Sequence, residues 1–277
     1  MGTWFITGAS RGFGAQIARH ALERGERVVA TARRPEAVTE RLGRSDRLLT
    51  LPLDVTDEAQ ARTAVKDAVA WSGGIDVLVN NAGRGQFGAL EEVSDAETRS
   101  LFDLNVFGLM HVIRAALPTL RAQGHGRIVN MGSMAGLVAT PGIGLYNATK
   151  FAVDGLSESL AQELAPFGIG VMVVEPGQFQ TGFMDPSSIS IADEPLTEYD
   201  ATPAGMARAW ARQGGSPLPG DPVKAAALIY EAVTAPVMPG RLLIGADCVA
   251  ALEAKLSALA QEFMPWRDRA VTTGFDD

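Results

Sequence analysis

The sequence predicts an α/β protein, a doubly wound parallel sheet of about seven strands with helices on both faces, in a single domain over residues 1–277. Three observations carry this. Short β-rich runs alternate with longer stretches of helical period, the pattern of parallel strands joined by helical crossovers. The runs are continuously apolar, as in Val77-Leu78-Val79 and Val171-Met172-Val173-Val174, which is how strands covered on both faces read. A glycine-rich turn, Thr7-Gly8-Ala9-Ser10-Arg11-Gly12-Phe13-Gly14, joins the first run to the first helical stretch.

Taken in order, the first strand is Thr3–Gly8, followed by the turn and a helix from Gly12 to Arg24. Arg27–Thr31 and Leu48–Leu53 are the second and third strands, Asp57–Trp71 a helix and Ile75–Asn80 the fourth strand. A long helix covers Asp95–Arg121, and Arg127–Met131 is the next strand. Leu145–Leu164 is helical, Val171–Glu175 a strand, Leu242–Ile244 a short last strand, and Cys248–Glu262 a closing helix. Residues 182–220, rich in Pro, Gly, Ser and acids, interrupt the alternation just after the carboxyl end of a strand. An insertion that long, in that place, is expected to be a substrate lid.

Composition excludes several functions. A formal net charge of −8 argues against nucleic acid or an anionic membrane as partner. The three His residues (His20, His111, His125) are scattered and Cys248 is alone, so no metal site and no internal disulfide are expected. Thr3 to Thr7 already reads as a strand, Ile6 stands where a myristoylation signal needs Ser or Thr, and no run of 18 apolar residues occurs. A cytoplasmic protein is expected, in which the Asn147-Ala148-Thr149 sequon is a chance match.

The glycine-rich turn suits a dinucleotide. Its glycines permit a tight turn and close approach of backbone to a pyrophosphate at the positive end of the first helix. The spacing, Gly-x-x-x-Gly-x-Gly over Gly8, Gly12 and Gly14, only approximates the usual Rossmann fingerprint. At the end of the second strand, Ala32 stands where an acid would bind an NAD ribose, and Arg33 and Arg34 follow. Guanidinium groups suit a 2′-phosphate, and Arg11 is placed to reach it from the other side, although Arg33 and Arg34 also read as exposed charges before a helix. NADP (NADPH) is therefore expected as cofactor, with NAD less favoured.

Tyr146 and Lys150 lie four residues apart, on one face of a helix, thirteen residues after Ser133. A neighbouring ammonium favours the phenolate and is expected to lower the Tyr146 pKa from about 10 toward the working range. Ser133 supplies a hydroxyl to bind and polarise a carbonyl or alcohol oxygen.

These pieces together resemble the short-chain dehydrogenase/reductase family in its compact single-domain form. The matching residues are the glycine-rich turn, Asn80-Asn81-Ala82-Gly83, Asn105, Ser133, Tyr146, Lys150, and Pro176-Gly177 followed by Thr181. The carboxy-terminal Gly245-Ala246-Asp247 and Trp266-Arg267 look, more weakly, like a hydroxysteroid-dehydrogenase-like subgroup. The resemblance implies hydride transfer between NADP(H) and a ketone or alcohol, with Tyr146 as general acid or base. It implies that Lys150 holds the nicotinamide ribose, that Ser133 orients the substrate oxygen, and that Asn105 anchors a water linking Lys150 to solvent. Asn105 reads equally as a polar residue bonding backbone at a helix irregularity. Asp54, with Val55 beside it, would meet the adenine, though Asp54 also reads as a turn residue. Asn81, Ala82 and Gly83 belong to the loop that passes under the adenosine ribose, and Pro176, Gly177 and Thr181 close over the nicotinamide. Arg84, after that loop, departs from the apolar or aromatic residue of many relatives and reads either as a surface residue or as one that meets a polar group near the cofactor.

The pocket is expected outside the carboxyl ends of the strands, lined by Phe87, Met134, Leu137, Ile143, Gln178, Phe179, Phe183 and Met184. That lining favours a lipophilic carbonyl or alcohol, although several of these residues also read as core. The resemblance further implies a homodimer or homotetramer paired through 95–121 and 145–164, burying Phe151 and Leu156. Two alternatives stay open: a dinucleotide sensor without turnover, and a family member whose net reaction, such as epimerisation, is not redox.

Overall fold

The computed structural model describes residues 2–215 and 218–275. Residues 1, 276 and 277 of the predicted domain, and 216 and 217 of the predicted lid, lie outside the described residues. The elements along the chain begin with β1 (Thr3–Ile6), α1 (Gly12–Glu23), β2 (Arg27–Ala32), α2 (Glu36–Leu42), β3 (Leu48–Pro52), α3 (Glu58–Ser72) and β4 (Val77–Asn80). Then come β5 (Gly85–Phe87), α4 (Asp95–Phe102), α5 (Gly108–Gln123), β6 (Gly126–Met131), α6 (Gly144–Leu164) and β7 (Ile169–Pro176). The carboxy-terminal part holds β8 (Ile189–Ile191), α7 (Pro203–Arg212), α8 (Pro222–Thr234), β9 (Arg241–Ile244), α9 (Ala246–Phe263) and α10 (Arg267–Ala270).

Seven strands form one parallel sheet in the order β3-β2-β1-β4-β6-β7-β9. Successive strand residues face opposite sides. Trp4, Ile6, Val28 and Val79 therefore enter the core beneath α1 and α8, while Phe5, Val29 and Leu78 enter the core beneath α3, α5 and α6. Burying each such large apolar side chain contributes about 1.5–3 kcal/mol, which is why both faces must be covered. The order reverses between β1 and β4, which opens a crevice at their carboxyl ends.

The helix ends follow local chemistry. Asp57 caps α3 by accepting from the N–H groups of Ala59 and Gln60 at 2.8 and 3.1 Å. Ser94 and Glu97 form a reciprocal cap on α4.

Several expectations need correction. β1 ends at Ile6, because Gly8 already has φ +65° and the chain is turning. The short helix α2 was anticipated only as a helix of no stated bounds after Arg34. The long helix over 95–123 is continuous but carries a π turn at Asp103–Phe107, a one-residue insertion that sequence periodicity does not reveal. By length and composition that helix is apolar enough to cross a membrane, yet Leu101, Leu109, Val112, Ile113, Ala116 and Leu120 are buried in the protein. The 182–220 segment is built rather than loose: β8 pairs with β5 in a small parallel sheet, and α7 follows, capped by Thr202. The helix α8 was also unforeseen, although Asp221 before Pro222 is a helix-start signal and Asp221 accepts from Val223 N at 2.8 Å. On α6, Phe151 faces outward, 45% exposed, whereas Leu156 packs on the inner core rather than outward.

Candidate active site

A cavity of about 710 Å³ opens at the crevice and runs from the end of β2 to the start of α6. At one end lies the glycine-rich turn. Gly8 and Gly12 adopt φ +65° and +57°, and Gly8, Ser10, Arg11, Gly12 and Phe13 line the cavity. The α1 N-cap, Arg11, makes no side-chain cap, so the first-turn N–H groups keep the donors that bind an anion. Gly14 lies beneath the loop instead of lining the cavity. A Cβ there would stand 2.5 Å from Asn81 Nδ2 and 2.6 Å from the Gly8 oxygen, so its role is close packing.

The turn is stapled from β4. Asn81 Nδ2 donates to the oxygens of Thr7 and Gly8 at 2.9 and 3.1 Å, and the Thr7 hydroxyl accepts from the N–H groups of Asn81 and Ala82. Thr7 was read as the start of the turn with no role for its side chain, and its hydroxyl is a positioning group the sequence did not reveal. Asp54, Val55, Asn81, Ala82, Gly83, Pro176, Gly177 and Thr181 all line the cavity. Asp54 does double duty, since Oδ1 also accepts from Thr56 N and Oγ1 at 3.0 and 2.7 Å in a local turn.

The arginines separate. Arg33 lines the cavity; Arg34 does not, because the chain has turned outward there into α2. Arg11 lines it too, but its guanidinium donates to Ser187, at 2.6 Å to the carbonyl, and ties the turn to the 182–220 segment. That contact replaces the expected second approach to a 2′-phosphate.

At the other end Ser133, Tyr146 and Lys150 share the cavity wall. Ser133 caps the short turn Met134–Gly136, its hydroxyl accepting from Ala135 N at 3.1 Å. Tyr146 and Lys150 occupy successive turns of α6, both buried. The expected effect of the lysine on the phenol does not appear. Lys150 Nζ donates to the Met131 carbonyl at 2.7 Å and lies 5.7 Å from the Tyr146 ring centroid. Burial pushes Tyr146 up to about 12, with the Ser133 hydroxyl opposing and the Glu175 charge adding to the rise. Burial likewise brings Lys150 down to about 8, opposed by Glu175. Tyr146 is thus held as a phenol, a proton donor.

Asn105 sits on the π turn and does not line the cavity. Its Oδ1 accepts from Arg84 N at 2.9 Å, and its Nδ2 donates to the Arg84 oxygen and Thr149 Oγ1 at 2.9 and 3.1 Å. The reading as a backbone brace at a helix irregularity is the one the side chain shows. Arg84 itself lines the cavity, which favours the second of its two readings over a surface position.

Glu175 was missed altogether. It is the next-to-last residue of β7 and fully buried, with Oε2 accepting from Ser133 N at 2.6 Å and Oε1 from Arg241 Nη1 at 3.2 Å. Arg241 is held in turn by Asp154 and Glu158 at 2.7 and 2.8 Å. Tyr146, Lys150, Asp154 and Glu158 follow at four-residue steps, one stripe on α6. Burial pushes Glu175 up to about 8, Asp154 adding to the rise while Ser133 N–H, Arg241 and Lys150 oppose it. An acid directly after the apolar run Val171–Val174, still within the strand, was the available signal.

The apolar wall comprises Phe87, Met134, Ile143, Phe183 and Met184, with Gln178 and Phe179 following Pro176-Gly177 in the lining; Leu137 stands outside it. Phe179 also packs on Phe13 at 5.3 Å between ring centroids. Trp210 of α7 completes the roof, 6.3 Å from Phe87.

Residues 3–190 match the family of the short chain dehydrogenases. The chain is 36% identical to "Oxidoreductase BOA17" of Botryotinia fuckeliana, over 98% of each. It is 42% identical to a 3-ketodihydrosphingosine reductase of Bacteroides thetaiotaomicron, over 67% of this chain and 66% of that one. A crystal structure of a short-chain dehydrogenase from Streptomyces avermitilis matches with TM-score 0.90 and 40% identity, covering 99% of this chain and 100% of that one. Among more distant structures, a Burkholderia phymatum relative holds NAD (26% identity, TM-score 0.79, 96% and 95% covered) and a serine dehydrogenase holds NADP+ (29%, 0.73, 87% and 94%).

Proposed function

Because the chain belongs to the short-chain dehydrogenase family, we propose that it is an NADP(H)-dependent reductase of a lipophilic ketone or aldehyde. The observation that carries this is a single cavity with an anion-binding helix start and Arg33 at one end, and a buried Ser133–Tyr146–Lys150 group among apolar side chains at the other. The turn, the loop after β4 and the Pro176-Gly177 loop fit a nicotinamide dinucleotide along that length. When bound, it supplies the hydride.

The chain's own residues do the rest. The Ser133 hydroxyl donates to the carbonyl oxygen and fixes its position. The Tyr146 phenol delivers its proton to the oxygen as negative charge develops there. The Lys150 ammonium stabilises the phenolate left behind and, with the Asn105 brace keeping its neighbourhood in register, draws the replacement proton from solvent. Segment 182–220, with Trp210 over the cavity, excludes water from the transfer. Arg33, with Ala32 in place of an acid, favours the phosphorylated cofactor.

Titration with NADPH and NADH, then NADPH oxidation with long-chain and aryl ketones, tests the reading. NADPH is expected to bind more tightly, and Arg33→Ala to weaken NADPH far more than NADH. Equal losses for both nucleotides would remove Arg33 from the phosphate site, and no turnover with any lipophilic ketone would overturn the substrate class.

Glu175→Gln gives a second test. The amide still accepts from Ser133 N–H but carries no charge. Without the carboxylate, Lys150 keeps its proton less well and its pKa falls further; Tyr146 loses an influence that raised it and falls too. Reduction needs both groups protonated, so the alkaline limb of the kcat/KM profile should move to lower pH, by roughly one unit. An unmoved limb would mean that Glu175 only holds backbone.

A further inference from the structure

After its first two turns, α9 leaves the body of the protein. Only Cys248 in it is buried, and every residue from 253 to 275 is exposed. A free helix of this length is marginal in water, because helices in proteins draw most of their stability from packing an apolar face. This helix has such a face. Val249, Leu252, Leu256, Leu259 and Phe263 recur at alternating steps of three and four, and Leu256, Leu259 and Phe263 are 57%, 51% and 53% exposed. A helix laid on a globular core shows a wider stripe; a narrow three-four seam is the form that another helix fills.

We propose that this seam is an interface between two copies of the chain, α9 packing antiparallel on α9 of a second copy. The flanks favour that partner. With Leu256 packed beside Leu259 of the second copy, Lys255 lies across from Glu262 of that copy, and the two-fold axis repeats the pair. The other flank, Glu253 facing Ala260, brings no like charges together. A two-fold pairing closes on itself, as the commonest homo-oligomers do. An anionic bilayer suits the helix poorly, since α9 carries Asp247, Glu253 and Glu262 against Lys255 alone, whereas membrane-surface helices are rich in Lys and Arg. This face is separate from the 95–121 and 145–164 helices, so a tetramer would use both.

Light scattering on the full chain at several concentrations is the test. Leu256→Glu with Leu259→Glu should halve the mass, leaving ketone turnover intact, since neither residue lines the cavity. Lys255→Glu should weaken association, and adding Glu262→Lys should restore it. An unchanged mass in the double-Glu variant would overturn the interface, and failure of the charge swap to restore would overturn the antiparallel register. Binding of the wild-type chain to phosphatidylcholine–phosphatidylglycerol vesicles, lost in the double-Glu variant without a change of mass, would assign the seam to a membrane instead. The mass and vesicle readouts do not depend on the reductase reading.

Discussion

Tyr146→Phe is expected to lower kcat/KM for ketone reduction by about 10²–10⁴-fold, the usual contribution of a positioned general acid. Few substitutions are so clean. The ring is buried and rests 5.9 Å from the Phe183 ring, so Phe keeps the packing and removes only the hydroxyl. Nothing in the dinucleotide cradle moves, and NADPH affinity should be retained. Burial holds the phenol protonated, with its pKa pushed up to about 12, so proton supply from Tyr146 does not fail at neutral pH. Lys150, brought down to about 8, sets the alkaline limit instead, and activity should fall as pH rises through that value. Pre-steady-state mixing with NADPH separates the cases. Retained binding with lost turnover supports the proton-donor role. Retained turnover would sink the mechanism, and a wild-type chain that binds NADPH but reduces no carbonyl would favour a sensor.

What the sequence made legible was what local chemistry dictates. The glycine-rich turn, the i, i+4 pair on α6 and the apolar strand runs each specify their structure within a few residues, and they landed where expected. The direction of Lys150 Nζ was not legible in that way. Spacing placed the two side chains on one face, but burial and the free Met131 carbonyl decided where the ammonium went. Glu175 was illegible for a related reason. Its partners come from β9 and the middle of α6, and only the β7–β9 pairing brings Arg241 against it. Arg34 failed because one residue past a strand end is enough to turn a side chain out of a crevice. The π turn was hidden because a single inserted residue leaves helical periodicity nearly intact.

Residues 182–220 illustrate the same limit and hold the largest stability effect expected. Their composition reads as a loop, yet Arg208 of α7 is almost completely buried and ion-paired with Glu92, itself fully buried, and with Asp200, which is exposed. Glu92 also accepts from Ala89 N at 2.7 Å and Leu196 N at 2.9 Å, so one carboxylate ties three stretches of chain together. Removing one partner of such a pair strands the other charge in low dielectric, at a cost of about 3–5 kcal/mol. Arg208→Met keeps most of the apolar stem of the side chain and removes the guanidinium, with its charge and its donors. It should lower Tm by on the order of 10 °C. Because α7 carries Trp210 over the cavity, the variant should also raise KM for large ketones while sparing NADPH affinity. Replacing the partner as well, in Arg208→Met with Glu92→Leu, should recover much of the loss, since a buried pair exchanged for apolar groups is often neutral. A double variant as unstable as the single would mean that the hydrogen bonds Glu92 makes to backbone, and not the ion pair, fasten the segment. In that case Glu92→Gln, whose one oxygen keeps one of the two acceptors, should be milder than Glu92→Leu.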